Sequence, residues 1–249
     1  MITGKDWASM DGNTVQWDRI TDSFVIVRAA YTYNGVPHED ATCKIVRPAA
    51  AAHGKVFGAY MILGWHGATP EEQADNFIRI YGQRKPGELP PALDLEADSA
   101  SALGLTVAQC LAWAERAYAR LKKAYGTVMI YTSRRVWGDV FGDLSSVMGE
   151  APLWIKIPYP WQTRRPHHPE SCPPDGSYEI PKPWAAHPNL PAHIVQYQGD
   201  AIGVDGYSGT VDCNKWITWV SDDVKAFQAA HGLVCDGVLG PRTFAAMTQ

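Results

Sequence analysis

The stretch that decides how this chain reads is "PPALDLEADS", residues 90–99. Its apolar run, 92–95, contains Asp94 and is followed at once by Glu96, with only Leu95 between the two acids. Side chains alternate between the faces of a β-strand, so Asp94 and Glu96 point one way and Leu95 the other. Two carboxylates on one face resist ionising together, and one of them keeps its proton to higher pH. A strand end fraying into a solvated acidic loop would carry the same residues, so the rest of the chain has to choose.

Outward from this stretch, short apolar strands alternate with helical patterns. Candidate strands lie at 2–5, 24–29, 56–60, 92–95, 128–131, 153–157 and 194–197, with an eighth expected in the irregular region between the last two. Strand–helix alternation of this kind predicts a parallel sheet. Two helices are sharply marked. "TPEEQADNFIRIYG" has Thr69 as N-cap, Pro70 in the first turn, Glu71 and Glu72 behind it, and Ala74, Phe77, Ile78 and Tyr81 along one face. "TVAQCLAWAERAYARLKKAYG" carries a capping box, Thr106 with Gln109, and Gly126 as its stop.

Region 158–191 holds ten of the eighteen prolines together with Tyr159, Trp161, Tyr178 and Trp184, and is expected to form an ordered flap or a surface insertion. His167 and His168 sit there without a spaced third ligand, so no metal is expected and both imidazoles are predicted to face solvent. Five scattered cysteines, with no C-x-x-C pair, indicate neither a zinc site nor a disulfide framework.

A net charge of -4 leaves no basic footprint for nucleic acid. No apolar run reaches the ~18 residues of a membrane helix, so no membrane insertion is expected. The N-terminus, "MITGKDWASM", has no basic segment followed by an apolar one, and a product made in the cytoplasm is expected. Ten Trp and eleven Tyr form a heavy aromatic load, of the sort that stacks on sugar rings but also fills cores.

Chemistry in a β/α barrel collects at the C-terminal ends of the strands. Asp6 closes the first candidate strand, Asp94 and Glu96 the fourth, and Asp212 follows the last; Tyr60 and Tyr131 end two others. Surface acids scattered at random would show no such preference. Convergent carboxylates suit cleavage of a glycosidic bond, which needs an acid for the leaving oxygen and a negative group for the oxocarbenium-like centre. A divalent metal is the lesser reading, because oxygen-ligand sites concentrate their acids on one loop.

The ordered set "GKDWAS", "FVIVRAAY", "AY" at Ala59 and Tyr60, "LDLEAD", "MIYT", "PLWIKIPY", "IVQYQ" and "GTVDCN" resembles glycoside hydrolase family 25, the Chalaropsis-type lysozymes, over residues 2 to 216. That resemblance implies a TIM-like (β/α) barrel and hydrolysis of the β-1,4 bond between N-acetylmuramic acid and N-acetylglucosamine in peptidoglycan, with no cofactor. It also implies Glu96 as general acid, Asp94 as its partner, acting directly or through the substrate's acetamide, and Asp6 and Asp212 as flanking carboxylates. Tyr60, Tyr131, Gln196, Trp154 and Tyr159 would line the sugar site. The long proline-rich insertion, Trp7 and Met61 depart from the family pattern.

The tail, "VKAFQAAHGLVCDGVLGPRTFAAM" (224–247), resembles one repeat of the helical peptidoglycan-binding module: Ser221 caps a helix bearing Val224 and Phe227, Gly232 ends it, and a second helix begins near Pro241. A unit of about thirty residues seldom folds alone. It is expected to pack on the barrel in the place of a final barrel helix, giving a barrel at 1–220 and an appendage at 221–249. The resulting expectation is a monomeric peptidoglycan muramidase with a short C-terminal helical appendage, acting on the wall after release as a phage endolysin does. The rivals are a non-catalytic peptidoglycan-binding barrel and a barrel hydrolase with another bond preference.

Overall fold

The computed structural model describes residues 2–96, 103–157, 165–168, 194–217 and 222–248. Eight strands close into a barrel: β1 (Thr3–Trp7), β2 (Phe24–Tyr33), β4 (Val56–Ile62), β5 (Ala92–Asp94), β6 (Met129–Ser133), β7 (Leu153–Lys156), β9 (Ile194–Ile202) and β10 (Val211–Trp216). Two short strands lie off the ring, β3 (Val36–Glu39) in a hairpin with β2 and β8 (Arg165–Pro166) against β9. All ring neighbours are parallel except β10, which runs antiparallel to both β9 and β1.

The eighth strand is therefore not in the proline-rich region; it is the segment containing Asp212. Its alternation explains this: Asp212, Asn214 and Trp216 share one face, and Trp216 and Asn214 are fully buried. Because β10 is reversed, its beginning reaches the rim formed by the C-terminal ends of the parallel strands. Asp212 is thus inside the barrel wall instead of beyond its last strand.

Strand alternation splits the core in two. Outward residues such as Val25, Val27, Phe57, Ala59, Leu93, Leu95, Ile130 and Ile155 pack against the surrounding helices. Those helices are α1 (Thr42–Ala52), α2 (Pro70–Tyr81), α3 (Val107–Tyr125), α4 (Arg134–Phe141) and α5 (Ser145–Met148). Inward residues Phe24, Ile26, Val56, Ala92, Met129, Trp154, Ile194 and Trp216 form a second cluster that fills the barrel. Gly4 faces this interior opposite Phe24, and a Cβ there would lie within the Phe24 ring. The glycine makes room for that phenyl.

The caps at Thr69 and Thr106 form as the sequence predicts, each hydroxyl accepting from the backbone N–H three residues on. α1 carries Pro48 in its interior, which masked the helix in the sequence.

The tail folds as α6 (Asp222–Ala230) and α7 (Pro241–Met247), but not as a substitute for an outer helix. Val224, Leu239, Phe244 and Ala245 join the interior cluster, and the Trp216 indole N–H donates to Leu239 O at 2.7 Å. Phe24 and Val56 begin their strands and Trp216 ends its reversed one, so the tail closes the floor of the barrel, opposite the acidic rim. Arg84 fastens it by donating to Ala245 O and to Thr248 Oγ1, while Arg242 donates to Gly54 O. Ser221 lies outside the described residues, as do Tyr159, Trp161, Tyr178, Trp184 and Cys172. His167 and His168 are half-buried, a correction to the solvent-facing expectation; β8 pairing holds them near β9, with His167 N donating to Ile202 O and His168 N to the Gln198 side chain.

Candidate active site

Leu95 is fully buried against the helices while Asp94, 5 % exposed, faces the barrel interior. Glu96 follows at the rim, half-buried, its carbonyl accepting from the Trp65 indole N–H at 3.0 Å. The Leu95 carbonyl accepts from the Thr132 hydroxyl, so both backbone groups of the turn are anchored. Burial raises the Asp94 carboxyl well above the ordinary range, and the nearby charges of Glu96 and Asp6 add to the shift. Asp94 Oδ1 is buried and accepts no hydrogen bond among the described residues.

Asp6 and Asp212 form the other half. They are direct partners across the β1–β10 ladder. Gln196 Nε2 donates to Asp6 Oδ1 at 3.1 Å and to Asp212 Oδ2 at 3.0 Å, and its Oε1 accepts from the Tyr131 hydroxyl at 2.8 Å. Asp200 N donates to Asp212 Oδ1 at 2.7 Å, and Asn214 Nδ2 to Asp6 Oδ1 at 2.7 Å. Burial, then the charge of Asp212, lifts Asp6 well above the carboxylate range. Burial is also the main cause at Asp212, which is pushed up to about 7.

Tyr131 ties the halves together. Its hydroxyl resists ionisation first because it is buried, and then because Glu96, Asp94, Asp6 and Asp212 all bear on it. Tyr60 is held neutral in the same way by burial and by Asp6 and Asp94. The four acids picked out in the sequence thus surround one point, although they come from β1, the end of β5, and β10.

The aromatic expectations fare unevenly. Tyr60 and Tyr131 lie at the site and are almost buried. Trp154 is only 1 % exposed; its ring meets the edges of Tyr131 and Tyr60 at 4.6 and 6.0 Å, and its N–H is given to Asn214. It supports the site from beneath and has no free face for a sugar, which corrects the sequence-based placement. Gln196 is likewise spent on the carboxylates and Tyr131.

Sequence reasoning missed four charged or polar contributors. Arg28 and Lys156 bear on Asp94 and lower its shift, Asp200 bears on Asp212, and Asn214 bonds Asp6. The available signal was period two: Arg28 shares a face with Ile26, Lys156 with Trp154, and Asn214 with Asp212.

A closed barrel with buried acids gathered at the C-terminal rim is the arrangement of a barrel glycosidase. The sequence profile of glycosyl hydrolases family 25 matches residues 5–172, more than half of the chain, and the chain belongs to that family. It is a glycoside hydrolase of the lysozyme class, with peptidoglycan as its substrate. A second profile, "Putative peptidoglycan binding domain", matches residues 196–247 and so takes in barrel strand β10 as well as the tail.

Among solved structures, the bacterial lysozyme from Streptomyces coelicolor superposes with a TM-score of 0.69 at 22% identity, covering 100% of this chain and 98% of that one. The muramidase from Trichobolus zukalii gives 0.65 at 20% identity over 90% and 96% of the two chains. The catalytic domain of endolysin ply40 from a Listeria monocytogenes bacteriophage gives 0.55 at 16% identity over 90% and 94%. These are likenesses of fold. No curated protein matches the sequence.

Proposed function

We propose that the chain is a muramidase that cleaves the β-1,4 bond between N-acetylmuramic acid and N-acetylglucosamine, with Glu96 as general acid. The observation that carries this reading is the gathering of Asp6 and Asp212 on Gln196, which also takes the Tyr131 hydroxyl, in a site where Asp94 and Glu96 bear on the same tyrosine. Glu96 is half-buried and stands at the rim, where a polymer can reach it. It protonates the glycosidic oxygen as the C1–O bond breaks. Asp94, deeper and with an oxygen free to accept, answers the positive charge at C1 or receives the N–H of the acetamide whose carbonyl oxygen attacks. Deglycosylation then returns a proton from water to Glu96.

The test is mass spectrometry of fragments released from purified cell walls by wild type and Glu96→Gln. N-acetylmuramic acid at the new reducing end supports the reading; N-acetylglucosamine there would make the protein a glucosaminidase. Equal release by both proteins would leave only a binding barrel.

A phage lysis setting fits the pairing of this barrel with a peptidoglycan-binding repeat, divided at 220/221. In that setting the protein is made in the host cytoplasm, acts as a monomer, and meets the wall after release. Cells expressing it should stay turbid until their membrane is permeabilised and then clear; clearing without permeabilisation would refute this setting. Light scattering should give the mass of one chain.

A further inference from the structure

Asn214 is fully buried behind Asp6, out of reach of a sugar. Its Oδ1 accepts from the Trp154 indole N–H at 2.8 Å. An indole N–H can only donate, so the amide has one orientation, with Nδ2 turned to Asp6 Oδ1 at 2.7 Å. Gln196 is fixed by the same logic: its Nε2 faces two carboxylates and its Oε1 takes the Tyr131 hydroxyl. Asp6 Oδ1 therefore receives two donors, while Asp212 receives one on each oxygen. A hydroxyl hydrogen on any of these three oxygens would point at an N–H. Among the described residues, Asp6 Oδ2 is the one of these four oxygens that receives no donor.

We propose that Asn214, locked by Trp154, is a positioning residue that confines the proton shared by Asp6 and Asp212 to Asp6 Oδ2, so that the pair enters the reaction with one proton and one negative charge. The proposal rests on the reading of these acids as the hydrolytic site and adds a role for a residue outside it. Two carboxylates in register across a ladder, sharing one amide donor, titrate as a unit in two steps, and the donors decide where the single proton sits. The surrounding charges stay the same when Asn214 is changed. They are Asp11 from the turn after β1, Arg28 from β2, Tyr60 from β4, Asp94 from β5 and Glu96 just beyond it, Tyr131 from β6, Lys156 from β7 and Asp200 from β9.

Asn214→Leu removes one donor from the ionised form of Asp6, so both limbs of the kcat/KM profile should move to higher pH, by about one unit. Trp154→Phe keeps an aromatic ring but removes the indole N–H that orients the amide, and should move them the same way by less. A purely structural role would lower activity at every pH and leave the limbs in place; that result, in variants with wild-type circular dichroism, would overturn the proposal. If Asn214→Leu does not fold, Trp154→Phe carries the test.

A second readout does not depend on turnover. In Glu96→Gln with ¹³C-labelled aspartate, the Asp6 carboxyl titration should shift upward when Trp154→Phe is added. An unmoved midpoint rejects the role of Asn214 whether or not the muramidase reading stands, whereas an active Glu96→Gln enzyme rejects the muramidase reading alone.

Discussion

Asp6 and Asp212 face each other directly across the one antiparallel seam that involves β1, and a single amide, Gln196 Nε2, donates to one oxygen of each. Asp6 is buried and Asp212 half-buried, so the ionisation of the pair is coupled to folding.

The first prediction follows from that coupling. An unfolded aspartate titrates near about 3.9. Asp212 is raised to about 7 by burial, and Asp6 and Asp94 are raised too. The folded protein therefore holds more protons than the unfolded one between those values. Stability from Asp212 is complete below about pH 4 and is lost as pH rises through about 7, and Asp6 and Asp94 act in the same direction. Asp40 works the other way: burial would raise it, but bonds from Thr42 and Ser9 and the charge of Arg28 outweigh that and lower it, so its contribution is lost in acid. Melting should peak near pH 5 and fall by roughly 5 °C toward pH 8, with a flatter curve for Asp212→Asn. A melting temperature that climbs from pH 5 to 8 would show the acids to be ionised in the fold.

Glu96→Gln should lower kcat on purified walls by about 10²–10⁴, the usual worth of a positioned general acid, with little change in melting temperature because Glu96 is half-buried at the rim. Asp94→Asn should also cut kcat, while stabilising the fold toward alkaline pH by removing a buried carboxyl whose ionisation burial opposes. Turbidity assays alongside calorimetry separate the two effects.

Phe244→Ala opens the floor. The Phe244 ring packs 5.5 Å from that of Trp216, which lies 5.7 Å from Phe24, all of them buried. A loss of about 3–5 kcal/mol is expected in chemical denaturation. A loss under 1 kcal/mol would mean that the tail is an independent unit lightly attached.

Arg28→Met strands a buried acid. Arg28 Nε lies 2.9 Å from Asp40, which is 1 % exposed and also binds Ser9 and Thr42. Breaking such a pair from one side costs about 3–5 kcal/mol. The double variant with Asp40→Asn should recover part of that loss, and its failure to do so would assign the loss to packing.

Much of this was legible in the sequence. Seven strands, the two capped helices and all four acids follow from alternation, Thr–Gln and Thr–Glu capping and the strand-end rule. What escaped depends on partners far along the chain. β10 has the alternation of a strand, but nothing local says that it runs backwards, so Asp212 read as a residue beyond the sheet. The interior proline of α1 argued against a helix that packing against β2 and β4 sustains. Trp154 read as a sugar platform because composition cannot tell a floor from a wall. The tail's apolar residues mark a buried face without saying which end of the barrel covers it.

The reversed final strand also sets an order of events. The ring is sealed where Thr3 to Asp6 meet Lys215 to Asp212, residues some two hundred positions apart, and contacts of such long range form late. A growing chain can build its helices and most of its wall on the ribosome, yet it has no paired aspartates until the strand at 211–216 has emerged and turned back. Ring closure and assembly of the acid cluster are then the same event, so on the proposed reading an incomplete product is inert toward the polymer.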